Sequence, residues 1–132
     1  MNLFRRIKNW YWMKKLKAAG FAPIGGGSGG FIDIGRSTFF VKIVTVATAG
    51  TPVQVVNTSQ PLPGSGCRAN VRAMSANTGK MKLGPSAGSI TGGSYWELNA
   101  SETAPGLSLS DLNEIWVDST VNGEKVCVIV EI

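Results

Sequence analysis

The first nineteen residues and the hundred that follow the glycine-rich stretch keep different hydrophobic rhythms. Over residues 2–19 apolar positions recur at helical spacing: at about 100° per residue, Leu3, Phe4, Ile7, Trp10, Tyr11 and Ala18 fall in one stripe. Arg5, Arg6, Lys8, Lys15 and Lys17 occupy its flanks and back, while Lys14 interrupts it. Trp12, Met13 and Leu16 lie away from the stripe. The predicted helix is therefore apolar on more than one side, which suits burial between two surfaces or in a crevice. Gly20, with Pro23 just beyond, supplies a C-terminal stop. Short isolated helices are marginal in water, so a leader weakly ordered until it docks is expected.

From Phe31 onward the period shortens to that of strands. Residues 39–48 form a long β-branched and aromatic run, and residues 52–57 follow the Ala49-Gly50 break. Within 68–75, Ala69, Val71 and Ala73 alternate with Arg68, Asn70 and Arg72. The turn Asn77-Thr78-Gly79 leads into 80–84, where Met81 and Leu83 alternate with lysines. Residues 95–99, 107–109 and 114–118 continue the series, and Asn122-Gly123 predicts a hairpin into 125–132. No segment of this part predicts a helix.

About eight short strands at this spacing predict an all-β fold, an antiparallel β-sandwich of jelly-roll-like form. The chain then divides into a basic amphipathic anchoring helix (1–19), a Gly-rich linker (20–30) and the β-sandwich domain (31–132). The linker contains Gly25-Gly26-Gly27-Ser28-Gly29-Gly30, and a Gly-rich segment of its length reaches roughly 17–20 Å.

Charge sharpens the division. Residues 1–19 carry six of the thirteen basic residues and no acid, a formal +6, whereas the whole chain is +5. A cationic arm on a nearly neutral body is built to touch something else, and an acidic protein surface, an anionic membrane and nucleic acid all satisfy the same Coulombic preference. Nucleic acid is the less favoured partner, because the body offers no matching basic face in sequence. No apolar run approaches the roughly 20 residues of a bilayer span, and charges up to Lys17 break the apolar region of a signal peptide. Folding in a cytoplasm is expected, with Cys67 and Cys127 as buried thiols.

Several motifs look chemical without carrying chemistry. Gly25-x-Gly27-x-x-Gly30 matches a dinucleotide fingerprint but follows a helix and precedes a strand, the reverse of what pyrophosphate binding requires. Gly84-Pro85-Ser86-Ala87-Gly88 matches a nucleophile elbow, yet the chain has no histidine to serve as general base and the segment reads as a loop. Asp111, Glu114 and Asp118 do not fit a calcium loop; Asp111 is expected to cap a turn, with Glu114 and Asp118 on the solvated face of a strand. Two cysteines without histidine make no usual zinc set, so neither metal nor cofactor is expected. Asn57-Thr58-Ser59 and Asn99-Ala100-Ser101 match the glycosylation pattern, without consequence absent secretion. Trp96 and Trp116 are expected in the sandwich core.

One succession of phrases carries a resemblance: residues 45–54 (TVATAGTPVQ), Val71-Arg72-Ala73, residues 77–84 (NTGKMKLG), residues 111–118 (DLNEIWVD) and Val121-Asn122-Gly123-Glu124. Covering roughly residues 43–130, it resembles small β-rich virion structural proteins of tailed bacteriophages, of the capsid decoration and head-fibre kind. The resemblance implies a non-enzymatic virion component, assembled in the host cytoplasm, whose partners are capsid or adjacent structural subunits and which forms a homo-oligomer, a trimer by analogy. The leader lies outside the resemblance. Its residues Leu3, Phe4, Arg5, Arg6, Ile7, Lys8, Trp10, Tyr11, Lys14, Lys15 and Lys17 are the expected anchor. A tail or neck position, and a peripheral membrane role for the basic helix, are the alternatives.

Overall fold

The computed structural model describes residues 11, 14–23, 33–34, 37–61 and 68–131. The fold is mostly β and is built on two antiparallel sheets. The first contains β1 (Ala22–Pro23), β3 (Ser37–Val46), β9 (Glu124–Glu131) and β5 (Arg68–Ala73) in that order, with β2 (Asp33–Ile34) also pairing β3. The second runs β4 (Val53–Gln54), β8 (Trp116–Ser119), β6 (Met81–Gly84), β7 (Trp96–Leu98). Late strands insert between early ones: β9 lies between β3 and β5, and β8 lies between β4 and β6.

Alternation decides what faces the core. Cross-strand rows Phe40–Val130–Ala69 and Val44–Val126–Ala73 turn inward from the first sheet. Met81, Leu83, Leu98 and Val117 answer them from the second, and all belong to one buried cluster. Beyond β5 the chain at 102–107 runs alongside as an irregular strand: Ala69 and Leu107 exchange both backbone hydrogen bonds (3.0 and 2.8 Å), and Ala104 N–H donates to Val71 O at 2.8 Å. The expected strand at 107–109 is reduced to this bridge.

The strands at 37–46, 68–73, 81–84, 96–98 and 124–131 fall where the hydrophobic pattern places them. Other expectations need correction. Asn122-Gly123 does not close a hairpin, because β8 and β9 belong to different sheets. The Gly123 N–H donates to Val46 O at 2.8 Å, drawing the chain across to β3. The segment read as a loop at 84–88 starts a short helix, Ala87–Thr91, in which Ser86 Oγ accepts the Ser89 N–H at 3.0 Å as an N-cap. Its buried Ile90 packs the helix on β6 and β8. The strand expected from residue 114 begins later, after a 3₁₀ turn at Leu112–Glu114 capped by Asp111, whose Oδ1 accepts the Asn113 N–H at 2.9 Å.

The passage from leader to sheet also differs from a free tether starting at Gly20. Residues 14–18 are helical, and Gly20, at φ 87°, ends them. Phe21 N–H donates to Leu16 O at 2.9 Å and Gly20 N–H to Lys17 O at 3.0 Å, the paired bonds of a Schellman motif. Its hydrophobic partners, Leu16 (1% exposed) and Phe21 (2%), are part of the core cluster. The reason lies on β3, where Lys42 shares the inward parity of Phe40 and Val44. Its Nζ donates to Ala19 O at 2.7 Å and lies 5.7 Å from the centroid of Phe21. The helix end supplies carbonyl acceptors to an inward lysine, and burial lowers the pKa of that lysine. Residues 14–21 thus gain their shape from the chain's own sheet, where a neighbour was expected to supply it. The Gly-rich run 25–30 lies outside the described residues.

Gly79 marks the tightest corner. A Cβ there would sit 2.5 Å from Thr120 Oγ1 and 2.7 Å from Val121 Cγ2. Gly79→Ala is therefore expected to cost about 1–3 kcal/mol by overpacking, read as a lower urea midpoint at unchanged slope.

Candidate attachment site

Of the expected anchor residues, Tyr11, Lys14, Lys15 and Lys17 are described; Leu3, Phe4, Arg5, Arg6, Ile7, Lys8 and Trp10 lie outside the described residues. The described part resolves the two-sided pattern of the leader. Leu16, off the stripe, enters the chain's own core, whereas Tyr11, on the stripe, remains 52% exposed. Lys14 and Lys17 are exposed, and Lys15 Nζ stands 5.2 Å from the Tyr11 ring centroid, a cation–π contact worth about 0.5–1 kcal/mol at a surface. One apolar side of the helix is spent on the body. The described members of the stripe, Tyr11 and Ala18, are exposed.

A second feature lies at the opposite edge of the first sheet. Leu83, Leu107, Leu109 and Ile115 line an almost wholly apolar cleft of about 400 Å³, walled on one side by Trp96. Trp96 shares the parity of buried Leu98 and pairs with Leu83, so it has the inward orientation that sequence assigns it. It is nevertheless 56% exposed, on β7, the edge strand of its sheet. Across Trp96, a polar hollow is lined by Tyr95, Glu97, Asn99, Glu102 and Thr103. Glu114 lines the cleft itself and accepts a hydrogen bond from Ser110 Oγ at 2.6 Å. Sequence reasoning missed this cleft. Its one local signal was the Pro105-Gly106 break between Ala104 and the alternating Leu107 and Leu109.

The carboxylates of the β-domain are occupied with structure. Asp118, expected in solvent, is 2% exposed: it stands on the outer face of β8, but the loop after β3 folds over it. Its Oδ1 accepts the Gly50 N–H at 2.9 Å and its Oδ2 lies 3.8 Å from Lys82 Nζ. Asp111 accepts from Gln60 N–H (2.7 Å) and Ser59 Oγ (2.6 Å) as well as from Asn113. Burial pushes its pKa up, and these three hydrogen bonds outweigh that and hold it below the usual range. Cys127, expected buried, is half-buried on the outer face of β9 opposite Ile43; burial raises its thiol pKa, against a smaller pull from Arg72. Cys67 lies outside the described residues.

Trp116 is half-buried on the outward parity of β8, not in the core. Among the described residues no helix is long and apolar enough to cross a membrane. The chain matches no protein-family model, and comparisons with curated proteins and with solved structures find no significant similarity.

Proposed function

We propose that this chain is a non-enzymatic structural protein of a bacteriophage virion, a capsid decoration or head-fibre component held to an adjacent subunit by its cationic leader. The observation that carries this reading is the split of the leader's apolar residues: Leu16 is docked inside the domain while Tyr11 is turned outward. The stripe of Leu3, Phe4, Ile7 and Trp10 is read as continuing the exposed side that Tyr11 begins. The stripe supplies affinity, and the cations steer docking and make it salt-sensitive.

The β-domain is read as a jelly roll. The orders β3-β9-β5 followed by 102–107, and β4-β8-β6-β7, support two interleaved four-stranded sheets, a form used by viral capsid and lectin domains. That support is a fold-level analogy. An amphipathic helix over 1–19 and a trimeric body complete the reading.

The structure changes which deletion tests it. Removing residues 2–19 would strip Leu16 from the core, whereas removing 2–13 leaves the Schellman motif and its contacts in place. The shorter deletion is expected to keep the unfolding free energy within about 0.5 kcal/mol of the full chain and to abolish incorporation into particles. Incorporation at the full-length level contradicts the proposal.

A further inference from the structure

We infer that the cleft beside Trp96 receives the leader stripe of a second copy of this chain. The inference rests on the leader being an attachment element and names its partner. Three observations carry it. First, the cleft is an apolar trough of about 400 Å³ closed by an exposed tryptophan, the kind of groove that takes one face of an amphipathic helix. Leu3, Ile7 and Trp10 stand at i, i+4 and i+7, the anchor spacing of that recognition mode.

Second, charge is complementary. Residues 1–19 hold six cations and no acid, while Glu114 lines the cleft and Glu97 and Glu102 line the hollow on the other side of Trp96. Glu97 is held by Lys80, and Glu102 accepts from the Asn99 N–H at 2.6 Å. The Lys80 ion pair balances the charge of Glu97, so Glu114 in the cleft and Glu102 beside it are the acids that the leader would meet.

Third, topology places the two partners on opposite edges. The leader enters the fold immediately before β1, and the cleft lies beyond β5 at residues 102–107. Four interstrand spacings, roughly 19 Å at about 4.8 Å each, separate them across the first sheet. The inner face between is filled by the second sheet. The described end of the leader and the cleft thus stand on opposite edges of the first sheet, so two copies set head to tail bring the leader edge of one beside the cleft of the other. This head-to-tail contact is heterologous and closes into a ring when the rotation permits, which suits a trimer.

The test uses full-length protein in sedimentation velocity at low and high salt. The wild type is expected to self-associate, more weakly at high salt. Trp96→Ala and Ile7→Asp are each expected to weaken association about tenfold or more while each keeps a single cooperative urea transition. Mixed together, these two variants retain one intact leader and one intact cleft and are expected to form a pair that stops there. A monomeric wild type, an unaffected Trp96→Ala variant, or variants that remain apart when mixed would each overturn the inference. Particle incorporation is a separate readout, so a monomeric wild type leaves the attachment reading of the leader standing.

Discussion

Replacing Phe21 by alanine is expected to destabilise the protein by about 3–5 kcal/mol, the cost of emptying a buried aromatic site. The ring is 2% exposed and shares a cluster with Leu16 and Phe40. Against a total stability of about 5–15 kcal/mol, the loss would be plain in a urea transition. Leu16→Ala should cost about 2–5 kcal/mol, and the double variant should fall short of the sum because the two side chains meet in one motif. Tyr11→Ala, on the outward side, should change stability by no more than about 0.5 kcal/mol. An unchanged midpoint for Phe21→Ala would mean that the end of the leader is not part of the folded domain.

The second large effect is expected at Glu124, at the start of β9. Its Oε1 accepts three hydrogen bonds, from Thr78 N–H at 2.7 Å, Thr78 Oγ1 at 3.0 Å and Gly79 N–H at 3.1 Å. These tie the turn before β6 to the strand in the other sheet. Glu124→Ala leaves two backbone donors without their acceptor, at a cost of about 3 kcal/mol. Glu124→Gln keeps one acceptor oxygen and loses the charge, so it should cost less.

Acid should reveal the same contacts. Burial pushes the Glu124 pKa up, but the hydrogen bonds from Thr78 and Gly79 outweigh it and hold the carboxyl below the usual range, as at Asp111. With the folded pKa below the unfolded value, the unfolded chain binds more protons on acidification. The contribution is therefore complete above the ordinary carboxylate pKa of about 4 and is lost as pH falls through the depressed folded values. The midpoint should be flat near neutrality and decline in acid, with a shallower decline for Glu124→Gln. Parallel acid profiles for the two proteins would rule out this role.

Features set by local alternation were readable from the chain. The alternating Ala69, Val71 and Ala73 specify their own face, Gly20 announces the end of a helix, and the runs 39–48 and 126–130 mark strands without showing that Cys127 and Ile129 turn outward. Features set by distant partners were not. Asn122-Gly123 has hairpin chemistry, but Val46 and Glu124 draw the next strand into the other sheet. Asp118 sits on an outward position, and only the loop at Gly50 buries it. Trp96 points inward by parity, yet it lies on the edge strand β7 and stays open. The role of Leu16 was half-legible: its displacement from the stripe asked for a second surface, without saying that the surface belonged to the same chain.

The account stands or falls on what the leader touches in the assembled particle. A photo-activated cross-linker placed at position 10 of the full-length protein reports this directly, since the stripe passes through Trp10. The predicted product joins two polypeptide chains and diminishes when salt is raised before irradiation. Adducts confined to the chain that carries the probe would contradict the account.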